Sequence, residues 1–263
     1  LGCAPVGVFL LLRRMSLTGD AMAHAILPGA AIGYLLSGLS LTAMSLGGVA
    51  AGLLVAVGSG LVARSTVLRE DASLAAFYLL SLALGVLIVS TRGSSVDLLH
   101  VLFGSVLALD DAALGLLVGI SLATLATLAL LYRPLVLECL DAQFLRSVSR
   151  LSPLAHYGFL VLVVINLVAG FHALGTLMAV GIMVLPAATA RLWVRGVPAL
   201  MALATLLALV ASTAGLLLSY HLDWPTSPTI VLCLGGAYLL SLVAGRFGAW
   251  RQGQHGRQRH LRG

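Results

Sequence analysis

Apolar stretches of about 20 residues dominate the sequence, and short clusters of Arg, Asp, Pro and Gly separate them. An α-helix needs about this length to cross the hydrocarbon core of a bilayer. The first stretch is shorter, so we expect a helix truncated at its start, and not a signal peptide, because no charged n-region or cleavage site is present. The pattern predicts nine helices, at residues 1–12, 15–36, 41–63, 72–91, 111–131, 154–170, 173–190, 198–219 and 228–245.

The composition agrees with a membrane location. Of the 263 residues, 60% are hydrophobic and only 9% are charged, and the mean hydropathy is +1.08. So few charges cannot cover the surface of a water-soluble globule of this size, which excludes a soluble enzyme. We therefore expect an all-α fold, in which residues 1–263 form a single polytopic transmembrane bundle of about eight to nine helices.

The arginines predict the orientation of this bundle. All fifteen basic residues are Arg, and if the helices alternate across the membrane, every one except Arg92 falls on the same side. The positive-inside rule makes that side cytoplasmic and places the C-terminus there. The net charge of +6 does not require nucleic acid, because anionic lipid headgroups account for the basic tail at residues 246–263.

The absence of Lys limits the chemistry of the chain. A P-loop needs its Lys, so the protein cannot hydrolyse ATP at a Walker-type site of its own, and any such energy source must be a partner. The sequence also has no H-E-x-x-H motif for a membrane metalloprotease, and its three cysteines form no C-x-x-C pair. These observations argue against an intramembrane enzyme.

Polar residues are expensive inside a membrane, and the second predicted helix carries two of them. Asp20 and His24 are four residues apart, a spacing that stacks a carboxylate and an imidazole on one helix face. One oxygen and one nitrogen donor can then converge on a single metal ion. The alternative is that the two side chains bond each other or a neighbouring helix and only hold the bundle together. One chain supplies too few ligands for a closed site, so a second copy, another helix or water must complete it.

Two prolines mark predicted helix breaks. Pro28 has no N–H for the carbonyl of His24, so it should kink the second helix and leave that acceptor free. Pro186 in the seventh predicted helix has a similar small-residue setting, and such pairs in opposed helices can mark a transport path, although chance also produces them.

A long segment follows the fifth predicted helix. Residues 133–153 are cytoplasmic by the arginine count, and apolar residues recur there at helical spacing, as in a short amphipathic helix. Such a helix docks a soluble partner or lies in the membrane interface.

Several separate stretches closely resemble one known family, the membrane permeases of bacterial ATP-binding-cassette importers for zinc, manganese and iron. The strongest is Leu12 to Gly29, which reads LRRMSLTGDAMAHAILPG. Further similar motifs follow in the same order and cover nearly the whole chain: Glu70-Asp71, Ala83 to Val86, Asp97 to His100, Leu102 to Gly104, Asp141 to Phe144, and Pro186 to Arg191.

The resemblance implies a transport subunit, not an enzyme, in the bacterial plasma (inner) membrane. Its partners would be a second permease subunit, as a homodimer or heterodimer, a cytoplasmic ATP-binding subunit and an external metal-binding protein. The carried ion would be divalent zinc, manganese or iron, with no permanently bound cofactor.

The resemblance also assigns residues. It makes Asp20 and His24 metal ligands, and it makes residues 133–153 the coupling segment that contacts the ATPase, with Asp141, Phe144 and Arg146 as its contact residues. Ser149 replaces the Gly that is usual after the coupling helix. The competing hypothesis is an ion- or proton-coupled secondary transporter in which Asp20 and His24 relay protons.

Overall fold

The structure is a computed structural model that describes residues 2–38, 40–66, 70–91, 111–140 and 152–245. These residues form ten helices, with no strand among them. In chain order the helices are α1 Cys3–Leu12, α2 Ser16–Ala25, α3 Leu27–Ser37, α4 Leu41–Ser65, α5 Glu70–Thr91, α6 Asp111–Leu140, α7 Ser152–Leu174, α8 Thr176–Arg191, α9 Val197–Leu222 and α10 Thr226–Ala244. The all-α prediction is confirmed, and each of the nine predicted helices has a counterpart, the second being split into α2 and α3.

The helices differ in how much of their apolar surface is buried. The largest buried side chains include Phe9, Met22, Phe159 and Met183 on α1, α2, α7 and α8, together with leucines on α6, α9 and α10. Helices α4, α6, α9 and α10 also carry many exposed large apolar residues. Exposed leucines along helices of this length are typical of a surface that faces lipid. Four stretches are long and apolar enough to cross a membrane by themselves: Thr42–Val62, Leu114–Cys139, Val197–Leu222 and Thr226–Ala244.

Glycines allow neighbouring helices to approach closely. A Cβ atom at Gly7 would lie 1.7 Å from the carbonyl oxygen of Met183, and one at Gly29 would lie 2.0 Å from that of Gly47. No side chain fits at either position, so these glycines set the α1–α8 and α3–α4 distances. Gly115 on α6 differs, because a Cβ there meets nothing within 4 Å.

The break between α2 and α3 falls at Ile26, two residues before Pro28. The Ser81 hydroxyl of α5 donates a hydrogen bond of 2.9 Å to the carbonyl of Ala25, the last residue of α2, and so connects the break to α5. At the break itself, the backbone N–H of Ile26 points to the carbonyl oxygen of His24. Pro186 lies inside α8 instead, and that helix continues to Arg191 without interruption.

Helix α6 is longer than the sequence pattern predicts. The expected end was residue 131, ahead of Arg133 and Pro134, but the helix runs through Pro134 to Leu140. Leu135 is fully buried beyond the proline, and this packing offsets the lost backbone hydrogen bond. The predicted helix end at residue 131 is therefore wrong, and the first eight residues of the predicted coupling segment continue α6. The assignment of residues 133–153 as a coupling segment stays a prediction.

Candidate functional site

Helix α2 carries the two polar residues that the sequence singles out, and it is bounded by a tight turn and a break. Arg14 adopts a left-handed conformation with φ of 59°. The N–H of Met15 donates to the carbonyl of Leu10, and that of Arg14 donates to the carbonyl of Leu11, which is the hydrogen-bond pattern of a Schellman motif. At its other end α2 stops at Ile26. The helix is thus a ten-residue segment between two changes of direction.

Asp20 and His24 lie one turn apart on α2, as their spacing predicts. His24 Nε2 is 3.8 Å from Asp20 Oδ1, too far for a hydrogen bond, and the exposed fractions are 34% for the His24 side chain and 63% for the Asp20 side chain. The two side chains therefore do not hydrogen-bond each other, and the carboxylate of Asp20 is open to the surroundings of this chain.

The pair offers one oxygen and one nitrogen donor to the same space, a combination that suits divalent Mn, Fe or Zn. No group of three or more His, Cys, Asp and Glu residues that could hold a metal occurs within the described residues. Two donors do not close a coordination shell. Water, a second copy of the chain or another protein must supply the remaining ligands.

A second charged cluster lies at the other end of α2 and is buried. Arg13 Nη2 is 2.5 Å from Glu138 Oε2, and the exposed fractions of the two side chains are 6% and 5%. His156 Nδ1, on α7, is 3.4 Å from the other carboxylate oxygen of Glu138, with 8% of its side chain exposed. The cluster joins the α1–α2 turn to the last turn of α6 and the first turns of α7.

The surroundings of the buried cluster are mostly apolar. The Arg13 guanidinium lies over the Phe159 ring, 4.6 Å from its centroid, which is a cation–π contact. Two further Arg13 nitrogens, Nε and Nη1, are buried and have no hydrogen-bond partner among the described residues. A cavity of about 20 Å³ adjoins His156, with Thr18 and Ser59 in its wall, which is room for a single water molecule.

The sequence pattern does not predict this cluster, because it places Arg13 at the cytoplasmic surface and Glu138 in the coupling segment. A signal was nevertheless present. Thr124, Leu128, Leu135 and Glu138 recur at helical spacing, and all four are buried. Extending the helical pattern beyond Pro134 places Glu138 on the inward face of α6.

The predicted ATPase contact residues Asp141, Phe144 and Arg146 lie outside the described residues, as do the Asp97 to His100 and Leu102 to Gly104 motifs. The described chain stops at Leu140 and resumes at Ser152. Both ends of this interval belong to helices that contribute to the buried cluster.

The chain is similar to known proteins over nearly its whole length. The sequence model of a family described as the ABC 3 transport family matches residues 1–245. The manganese import system permease protein ScaB of Streptococcus parasanguinis is 33% identical over 236 residues, 90% of this chain and 83% of that protein. The manganese transport system membrane protein MntC of Halalkalibacterium halodurans is 32% identical over 91% of this chain and 81% of its own length.

A third relative and a solved structure extend the comparison. The chelated iron transport system membrane protein YfeD of Yersinia pestis is 29% identical over 92% of this chain and 80% of its own length. A chain in the structure described as PsaBC from Streptococcus pneumoniae in complex with Fab superposes with a TM-score of 0.84 at 28% identity. The match covers 97% of this chain and 90% of that one.

Proposed function

This chain belongs to the ABC 3 transport family, and we propose that it is the membrane permease of an importer that moves a divalent transition metal into the cell, with Asp20 and His24 as its cargo ligands. The observation that carries the proposal is the exposed pair on α2, a carboxylate and an imidazole one turn apart. An unpaired carboxylate in a chain this apolar needs a cation, and the open face of the pair leaves room for one.

The ligand chemistry and the relatives narrow the cargo. Oxygen and nitrogen donors suit Mn²⁺, Fe²⁺ and Zn²⁺, whereas a thiolate-selected ion would require a nearby Cys. The relatives are named for manganese and for chelated iron. We therefore expect Mn²⁺ or Fe²⁺ to be preferred, and Zn²⁺ to be the competitor that the same donors accept.

The energy source must be a separate cytoplasmic ATP-binding subunit, because a chain without Lys cannot form a P-loop. Asp141, Phe144 and Arg146 are the proposed contacts with that subunit. An external metal-binding protein delivers the ion, and a second permease subunit completes the transport path. The whole assembly resides in the bacterial inner membrane, with the C-terminus of this chain in the cytoplasm, and residues 1–263 act as one permease domain.

The test is metal uptake into proteoliposomes that contain the permease, its ATPase and its binding protein. Asp20→Asn and His24→Ala should each reduce ATP-driven Mn²⁺ uptake at least tenfold while the complex stays assembled, because the first removes the negative charge of the oxygen ligand and the second removes the nitrogen ligand. Asp223→Asn and His221→Ala are matched controls. Both residues are exposed at the end of α9, and Asn tolerates the left-handed φ of 51° at Asp223.

Two outcomes would overturn the proposal. Uptake that persists in both α2 variants would mean that the pair does not bind the cargo. Uptake that the chain alone performs on a proton gradient, without the ATPase, would favour a secondary transporter in which the pair relays protons.

A further inference from the structure

We propose that the buried Arg13–Glu138 ion pair is the mechanical link through which the ATPase-facing end of the bundle moves the cargo helix α2. This proposal rests on the proposed function, because it assigns a role to residues 141–151 as the segment that the ATPase displaces. The two residues are positioning residues, since they are buried and paired with each other and neither belongs to the proposed pair of cargo ligands.

First, the buried cluster is attached at the two helix ends that border residues 141–151. Glu138 is in the last turn of α6, three residues before residue 141, and His156 is in the second turn of α7, five residues after residue 151. The cluster therefore spans both ends of residues 141–151. A displacement of that segment must act on these two helix ends first, because they are its covalent attachments.

The second step is the rigidity of the turn that carries Arg13. Hydrogen bonds from Arg14 and Met15 back to α1 fix the turn, and the N–H of Thr18 donates to the carbonyl of Met15 at 2.9 Å. These bonds connect the backbone of Arg13 directly to the first turn of α2. Asp20 follows Ser16 by four residues, about 6 Å along the helix axis. A pull on the Arg13 side chain thus reaches the cargo ligands through a short, ordered segment.

Third, α2 can turn at its far end. The hydrogen-bonded turn at Arg13–Met15 holds the start of α2 in a fixed relation to Arg13, whereas the break at Ile26 separates α2 from α3. Changes of direction at helix ends are where hinge motion concentrates. A movement of Arg13 therefore carries the hydrogen-bonded body of α2 about the break, and Asp20 and His24 keep their spacing as they turn.

Last, a role in transmitting motion to α2 differs from a role in stabilising the fold. A buried ion pair is weak evidence for stability, because apolar residues of similar volume often replace it without loss. Here the pair joins the α1–α2 turn to the last turn of α6 through a charge-assisted hydrogen bond. Such a bond fixes the relative direction of its two groups, which apolar contacts between the same helices would not do.

The experiment replaces both charges at once, so that no unpaired charge remains buried. The double variant Arg13→Met with Glu138→Leu is reconstituted with the ATPase and the binding protein, and Mn²⁺ uptake and ATP hydrolysis are measured in the same vesicles. We expect assembly and ATP hydrolysis to persist while the number of Mn²⁺ ions moved per ATP falls at least tenfold. The charge-swapped variant, Arg13→Glu with Glu138→Arg, should recover a substantial part of that ratio.

A purely structural pair predicts a different result. Wild-type transport per ATP in the apolar variant would overturn the proposal, and so would a loss of ATP hydrolysis and transport in equal proportion. If the apolar variant does not assemble, Arg13→Gln with Glu138→Gln tests the same point without charge. Mn²⁺ binding in detergent distinguishes the two proposals, since Asp20→Asn should abolish it and the apolar variant should retain it. Failure of wild-type ATP-driven uptake would instead contradict the proposed function.

Discussion

The two charged clusters at the ends of α2 are built from similar groups, but their carboxylates differ in how many partners they have within the chain. Asp20 and His24 are too far apart for a hydrogen bond, and their side chains are 63% and 34% exposed, whereas Glu138 has a partner on each carboxylate oxygen and is 5% exposed. The open pair has coordination capacity left for an ion. Both oxygens of Glu138 are engaged within the chain, so the buried cluster holds helices together and offers no free carboxylate to the cargo.

The two clusters also differ in how the charge of their carboxylate is compensated. A carboxylate removed from water needs a compensating charge, and Arg13 supplies it to Glu138. No Arg of the described residues is paired with Asp20 in the same way, so its charge is compensated only when a cation binds or water reaches it. Removing a charge should therefore cost stability at the buried cluster and cost cargo binding at the open pair.

The largest effect should follow Arg13→Ala, which leaves Glu138 buried without its counter-charge. We expect the free energy of unfolding to fall by about 3 to 5 kcal/mol, since an uncompensated buried charge is strongly destabilising. Thermal unfolding of the purified permease in detergent measures this loss. Arg133→Ala is the control, because Arg133 is an exposed arginine that the positive-inside rule predicts on the same side of the membrane. Equal unfolding temperatures for the two variants would mean that the buried cluster contributes little.

Close helix packing should have the next largest effect. Gly29→Ala forces a Cβ to within 2.0 Å of the Gly47 carbonyl oxygen, so α3 must move away from α4 at a cost of about 1 to 3 kcal/mol. The shift acts next to the open pair and leaves the buried cluster in place, so Mn²⁺ binding should weaken as well. Gly115→Ala is the matched control, because a Cβ there meets nothing within 4 Å. A Gly29 variant as stable as the Gly115 variant would contradict the packing seen here.

These examples show which features a sequence pattern can predict. The helices follow from long apolar stretches, and the Asp20–His24 contact follows from four-residue spacing within one helix, so both were predictable. Arg13 and Glu138 meet 125 positions apart, which no local pattern encodes, and Pro134 gave a false helix end. Gly29 and Gly115 look alike in sequence, yet only the fold determines that one faces a helix and the other does not.

Ser81→Ala should have a moderate effect. The variant removes the hydroxyl that donates to the Ala25 carbonyl at the break, and a buried acceptor left without its donor costs about 1 kcal/mol. The position of His24 at the end of α2 depends on this break, so Mn²⁺ affinity should fall severalfold while the Arg13–Glu138 pair is unaffected. Metal titration of the purified permease measures the change, with Ser45→Ala on α4 as the control. Unchanged affinity would show that the break does not position the ligands.

The smallest change in stability should follow Asp20→Asn when no metal is present. Asp20 is 63% exposed, and substitutions at exposed positions usually alter the free energy of unfolding by about 0.5 kcal/mol or less. Added Mn²⁺ should increase the difference in stability between the wild type and this variant. A ligand at 100 times its dissociation constant stabilises a folded protein by about 2.7 kcal/mol, and only the variant that keeps both donors can gain it. The wild type should therefore unfold at a higher temperature in Mn²⁺ and Asp20→Asn should not, whereas Asp223→Asn should respond as the wild type does. A stabilising response in Asp20→Asn would place the ion elsewhere in the bundle and remove the contrast between the open and the buried cluster.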